Sequence, residues 1–102
     1  MRILYSKRGT GKTREAISIA SKTSSHIVCE GKKRASEVFS MAKEMGMDIP
    51  FPLTYDEFVE GRFYGMSVKS FVIEDVDLLI QRFARGIPVK LITITREGED
   101  HE

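Results

Sequence analysis

Four β-prone runs, each separated from the next by a segment with helical spacing of its apolar residues, leave this chain few ways to fold. Parallel strands need a crossover between them, and an amphipathic helix supplies it, so alternation of this kind points to a parallel sheet covered on both faces. The runs are Arg2-Ile3-Leu4-Tyr5, His26-Ile27-Val28-Cys29-Glu30, Lys69-Ser70-Phe71-Val72-Ile73 and Val89-Lys90-Leu91-Ile92-Thr93-Ile94-Thr95. Between the first two, Ala16, Ile17, Ile19 and Ala20 mark a helix that begins at Lys12 or Thr13 and fades through the Ser- and Thr-rich residues 21–25. Ala35, Val38, Phe39, Ala42 and Met45 build one apolar face over residues 32–45, with Gly46 as terminator, and Leu78, Leu79 and Phe83 do the same over residues 77–83 before Gly86 and Pro88. In residues 48–67, Pro50 and Pro52 force extended backbone ahead of Leu53 and Thr54, after which residues 55–59 can form a short helix capped by Thr54. The expectation is an α/β chain in three layers, with a mostly parallel sheet of four to five strands.

A length of 102 residues supports one domain with a core, here residues 1–96, followed by a polar tail over residues 97–102. Charged side chains make up 30% of the chain but sum to +1, so there is no global field and any nucleic-acid contact has to be local. The single cysteine, Cys29, excludes an internal disulfide and a cysteine metal cluster and fits a reducing compartment. No segment approaches 18 apolar residues, and the apolar run at Met1 is shorter than a secretory signal, so the expectation is a soluble protein without a membrane partner. The expected compartment is the cytoplasm, that of a bacterial host if the chain is phage-encoded.

The chemistry concentrates in two places. Ser6-Lys7-Arg8-Gly9-Thr10-Gly11-Lys12-Thr13 joins the first strand run to the first helix. Holding a polyphosphate takes converging backbone N–H groups, a helix N-terminus behind them and a cation in front. Gly9 and Gly11 let the backbone approach closely, Lys12 reaches outer phosphates, the Thr13 hydroxyl is placed to ligate Mg²⁺, and Arg8, Thr10 and Arg14 flank the same anion. The pattern is G-x-x-x-x-G-K-[ST] with Ser6 in place of the first glycine; the competing reading is a glycine-rich turn that merely caps a helix. The second place is Glu74-Asp75 at the end of the third strand run, where carboxylates can serve a metal and a water, or can cap the helix that follows together with Asp77.

Taken together, the loop and the acidic pair resemble the ATPase core of the P-loop superfamily, of the additional-strand type found in RecA-, helicase- and terminase-like proteins, over roughly residues 2–96. The resemblance implies a P-loop fold with strand order 2-3-4-1, ATP and Mg²⁺ as cofactors, Lys12 on the phosphates, Thr13 and Glu74 on the metal, and Asp75 as the carboxylate that polarises water. It also implies that the usual Asp-Glu order is swapped at Glu74-Asp75. Among such cores the likeness is to phage and viral DNA-packaging motors and helicases, where Arg8 would act in cis on the γ-phosphate and Thr95 would be a polar sensor, followed by Arg96. Arg8 reads equally as a solvated loop residue, and Thr95 equally as a good strand former.

Several residues carry two readings. Lys32, Lys33 and Arg34 could touch a nucleic-acid backbone, or form a solvated helix start. Arg82 and Arg85 could reach a neighbouring subunit in a homo-oligomer or a larger replication or packaging complex, or answer a helix dipole. Tyr55, Phe58, Phe63 and Tyr64 could make a docking surface or pack a core, and His26 and Cys29 read as structural. The functional expectation is a small ATPase that binds Mg-ATP and hydrolyses it, as an accessory to packaging or replication. The alternatives are a non-catalytic nucleotide-binding or interaction module with a degenerate acidic site, and a nucleic-acid-binding module built on residues 32–34.

Overall fold

A computed structural model describes residues 1–5 and 11–95. In chain order the elements are α1 (Lys12–Thr23), β1 (His26–Cys29), α2 (Lys32–Glu44), β2 (Leu53–Thr54), α3 (Tyr55–Val59), β3 (Phe71–Ile73) and α4 (Val76–Phe83). The sheet is parallel, with order β2-β1-β3. β1 has a neighbour on each side and helices over both faces, so all four of its residues are buried, as expected of a central parallel strand.

Strand periodicity divides the core in two. Ile27 and its partner Val72 point to the α1 and α2 side, where they pack with Ile17, Ala20, Val38, Ala42 and Ile49. Val28 and Phe71 point to the other side, where Leu53, Tyr55 and Leu79 are buried with Phe58, Phe63 and Phe83 around them. Ile17 and Val38 are almost wholly removed from water, and burying such a side chain contributes about 1.5–3 kcal/mol.

The helix boundaries follow local chemistry. α1 stops where Ser24 turns left-handed (φ 56°), and a hydroxyl chain from Thr23 through Ser25 to Ser70 (2.6 and 2.5 Å) ties that end to the entrance of β3. α2 ends ahead of Gly46, whose φ of 71° is the left-handed turn glycine accommodates. Thr54 caps α3 through a complete capping box: its hydroxyl accepts from the Glu57 N–H (3.1 Å), and the Glu57 carboxylate accepts from the Thr54 N–H (2.9 Å).

The sheet is smaller than the sequence suggests. Three strands are present among the described residues, not four to five, and the order 2-3-4-1 survives only in the contact of residues 26–29 with 71–73. Residues 2–5 are irregular, with Arg2 paired to Glu15 of α1 at 3.0 Å, and residues 89–95 are irregular and exposed. After α4 the chain turns away through Arg85 (φ 55°) and Gly86 (φ 86°) to Pro88, which has no N–H to give a ladder. β-propensity expresses packing against a neighbour, so a β-prone run led away from the sheet gains nothing from it. The short β2, by contrast, is an addition to the strands read from the sequence, and it exists through its pairing with β1. Among the described residues no helix is long and apolar enough to cross a membrane. The tail over residues 97–102 lies outside the described residues.

Candidate functional site

In a parallel sheet every strand runs the same way, so the segments that leave the carboxyl ends gather along one edge. Here these are Gly31 and the start of α2 after β1, the start of α3 after β2, and Glu74-Asp75 after β3. The first turn of α1 meets them there.

Gly11 opens α1 with φ 90°, a left-handed conformation that strains any residue with a Cβ. Lys12 and Thr13 follow on the first turn. The Lys12 ammonium donates to Asp75 Oδ1 at 2.8 Å, and the Thr13 hydroxyl donates to Glu74 Oε2 at 3.0 Å. Contacts spanning 63 and 61 residues of sequence thus join the loop motif to the acidic pair, side chain to side chain. Asp75 also answers the helix-cap reading. It occupies the N-cap position of α4 but makes no side-chain cap, and its φ of 55° is left-handed where a cap is usually extended. Such backbone costs of order 1–3 kcal/mol and needs surroundings that over-determine it. Its carboxylate is turned to Lys12 instead of to the α4 amides.

Two side chains outside the sequence motifs complete the group. Tyr55, the first residue of α3, is buried, and its hydroxyl proton is shared between the carbonyls of Glu74 (2.7 Å) and Asp75 (3.0 Å), which fixes the backbone on which both carboxylates stand. Arg34 reaches in from the first turn of α2. Its Nη2 donates to Glu74 Oε2 at 2.8 Å and to Thr13 Oγ1 at 2.7 Å, its Nε to Glu74 Oε1 at 3.1 Å, and its Nη1 to Glu37 at 3.3 Å. Glu74, 7% exposed, is therefore a nearly buried carboxylate held by a two-pronged guanidinium and a hydroxyl.

The electrostatics follow from these contacts. Hydrogen bonding to Asp75 raises the Lys12 ammonium above its ordinary value, and hydrogen bonding to Glu74 does the same for Arg34, so both remain cations. Burial, reinforced by the charges of Asp75 and Glu74, pushes the Tyr55 hydroxyl up and keeps it a donor. Thr13 and Glu74 present hard oxygens to one point, which suits a cation such as Mg²⁺ that takes one or two protein ligands and keeps its other positions for water or phosphate. Among the described residues, no three His, Cys, Asp or Glu side chains converge as an all-protein metal cage would need.

Of the residues singled out in the sequence, Gly11, Lys12, Thr13, Glu74 and Asp75 come together. Arg14 is on the exposed face of α1, and Thr95 is exposed in irregular backbone. Arg8, Gly9, Thr10 and Arg96 lie outside the described residues. The basic triplet is divided: Lys32 pairs with Glu57 at 3.0 Å, Lys33 is exposed, and Arg34 turns into the site. Arg82 forms a two-pronged pair with Asp56 (2.9 and 3.2 Å), linking α4 to α3. Burial pushes the Cys29 thiol up to about 12 and leaves it inert, and burial lowers His26. The roles of Arg34 and Tyr55 escape a reading by spacing; the signal that carries them is topological, since both open helices that leave carboxyl ends of strands. Compared with known proteins, the chain matches no family model, no curated protein and no solved structure.

Proposed function

We propose that this chain is a small P-loop ATPase, of P-loop fold, that binds Mg-ATP through residues 6–13 and hydrolyses it at Asp75. The observation that carries the reading is the double contact of Lys12 with Asp75 and Thr13 with Glu74, which brings a phosphate-binding sequence and an acidic strand end into one constellation. A chance glycine-rich turn would have no reason to meet both carboxylates in order. The parallel contact of β1 with β3 is a second support.

Each residue then has a task. Lys12 exchanges Asp75 for the outer phosphates, where a mobile ammonium offsets charge that develops on transfer. Its departure leaves the Asp75 carboxylate able to accept a hydrogen bond from water and hold it in line with the terminal phosphorus; a positioned base of this kind contributes about 10²–10⁴ in rate. Thr13 and Glu74 would hold the metal from the protein side, and the metal, when bound, draws charge from the phosphate oxygens. Tyr55 keeps the Glu74 and Asp75 backbone from shifting as these partners exchange. The biological setting we propose is an accessory to DNA packaging or replication.

A second reading, a nucleotide-binding module without turnover, is favoured by one feature: Asp75 is a methylene shorter than the glutamate usual at the water-activating position, and small misplacements cost large factors. Thermal melting with Mg²⁺ and ATP, ADP or GTP tests the binding claim. Nucleotide at 100 times its dissociation constant stabilises by about 2.7 kcal/mol, and the Lys12→Ala protein should show no such shift. A shift that persists in Lys12→Ala, or none in the wild type at millimolar nucleotide, rejects the phosphate site. Phosphate release from the wild type but not from Asp75→Asn identifies the ATPase; release from neither, with binding intact, identifies the module.

A further inference from the structure

Among the described residues, Arg34 is the one cation that touches both groups assigned to the metal side of the site. Its Nη2 is 2.7 Å from Thr13 Oγ1 and 2.8 Å from Glu74 Oε2, and those two oxygens are 3.0 Å apart. A divalent cation such as Mg²⁺ held by the same two oxygens would compete with Arg34 Nη2 for their lone pairs and for the charge of Glu74. Each takes the partners the other needs. Resting on the nucleotide-binding reading, we propose that Arg34 is the resident cation of this site: it neutralises Glu74 and holds Thr13 while the site is empty, a divalent cation must displace it, and it thereby sets how strongly nucleotide binding depends on metal.

The burial of Glu74 gives the empty site a need for such a cation. A carboxylate 7% exposed is costly without a partner, and among the described residues Arg34 supplies the formal positive charge within salt-bridge distance of it. The other basic side chains of the same helix start do not serve, because Lys32 is paired with Glu57 and Lys33 faces solvent. The structure also holds an alternative seat for the displaced guanidinium. Glu37, one turn further along α2 and half-exposed, already accepts from Arg34 Nη1 at 3.3 Å. Because Nη1 already reaches Glu37 on the same helix, Arg34 keeps a carboxylate partner when it gives up Glu74. A planar fork that contacts one carboxylate through Nε and Nη2 while giving Nη1 to the other is a capacity lysine lacks.

The quantity that reads this is the ratio of the ATP dissociation constant in EDTA to that in excess Mg²⁺, measured by calorimetry on the full chain. In the wild type the guanidinium stands in for the metal and keeps the ratio small. In Arg34→Met the ratio should rise about tenfold or more, the scale of one charge-assisted competitor removed. Arg34→Lys, which keeps the charge but loses the fork, should fall between. Glu37→Gln removes the alternative seat from an exposed position and should lower the ratio, because the guanidinium then has less reason to leave Glu74. This variant keeps the proposal falsifiable if Arg34→Met does not fold. A purely structural Arg34 would weaken binding equally in both conditions, so unchanged ratios in Glu37→Gln and in the folded Arg34 variants overturn the proposal. Absence of ATP binding in both conditions, or binding that survives Lys12→Ala, overturns the nucleotide site itself and this inference with it.

Discussion

Tyr55 shows how one residue links the core to the site. Its ring is buried with Val28, Leu53 and Leu79, while its hydroxyl reaches the carbonyls of Glu74 and Asp75. Removing only that oxygen in Tyr55→Phe leaves packing intact and takes a donor from two carbonyls, one of them in a left-handed residue that needs external support. The expected loss is about 1–3 kcal/mol in urea unfolding with an unchanged m-value, because the surface exposed on unfolding does not change. A loss of unfolding free energy under about 0.5 kcal/mol would mean that Asp75 holds its φ of 55° without the phenol. Lys12, Thr13, Glu74 and Asp75, which the structure brings into contact, stand out in the sequence because a glycine-rich loop ahead of a helix and an acidic end to an apolar run are local patterns. Tyr55 and Arg34 do not, because an aromatic near two prolines and an arginine beside two lysines look the same whether they face solvent or a site; only the stacking of strands decides.

At the scale of elements, legibility followed the strength of local signals. α1, α2 and α4 announce themselves through apolar spacing, and α3 through the cap at Thr54, all within a residue or two of their observed bounds. β2 has two residues and is defined by its pairing to β1, which no local pattern encodes. Residues 89–95 fail for the opposite reason: strong propensity without a neighbouring strand among the described residues. The α3 cap yields a pH prediction. The Thr54 N–H, assisted by Lys32, holds the Glu57 carboxyl below its ordinary value of 4.5. A depressed carboxyl pKa contributes stability above the unfolded value and loses it as pH falls through the folded one. Glu57→Gln preserves the cap hydrogen bond without the charge. Urea midpoints of wild type and Glu57→Gln should therefore differ most at neutral pH, with the wild type higher, and converge as pH drops below 4.5. Thr54→Ala, in contrast, should cost about 1 kcal/mol at every pH in this range. A gap between wild type and Glu57→Gln that persists at acid pH would assign the effect to shape and not to charge.

Across the whole molecule, protection of the backbone should fall away from one strand. β1 is bonded on both sides and buried on both faces, whereas β2 and β3 each pair with β1 alone among the described residues. Beyond α4, Ile87, Leu91 and Ile92 are well exposed, and no backbone hydrogen bond holds residues 89–95 among the described residues. Local opening energies track such differences, so hydrogen exchange should be slowest in β1, faster in β3 and near the unprotected rate over residues 89–95. Adding Mg-ATP then separates two accounts of the missing strand. If the site is the meeting of α1, α2 and the β3–α4 junction, the ligand should slow exchange in the first turn of α1 and around Glu74 and Asp75 and leave residues 89–95 as they were. Slowing that extends to residues 89–95 would mean that the ligand recruits this run to the sheet, restoring the neighbour whose absence leaves its β-propensity unexpressed. Thr95 would then travel with the strand toward the carboxyl ends where the site lies, and its replacement by Ala would begin to affect nucleotide binding; with residues 89–95 unchanged, Thr95→Ala should bind Mg-ATP as the wild type does.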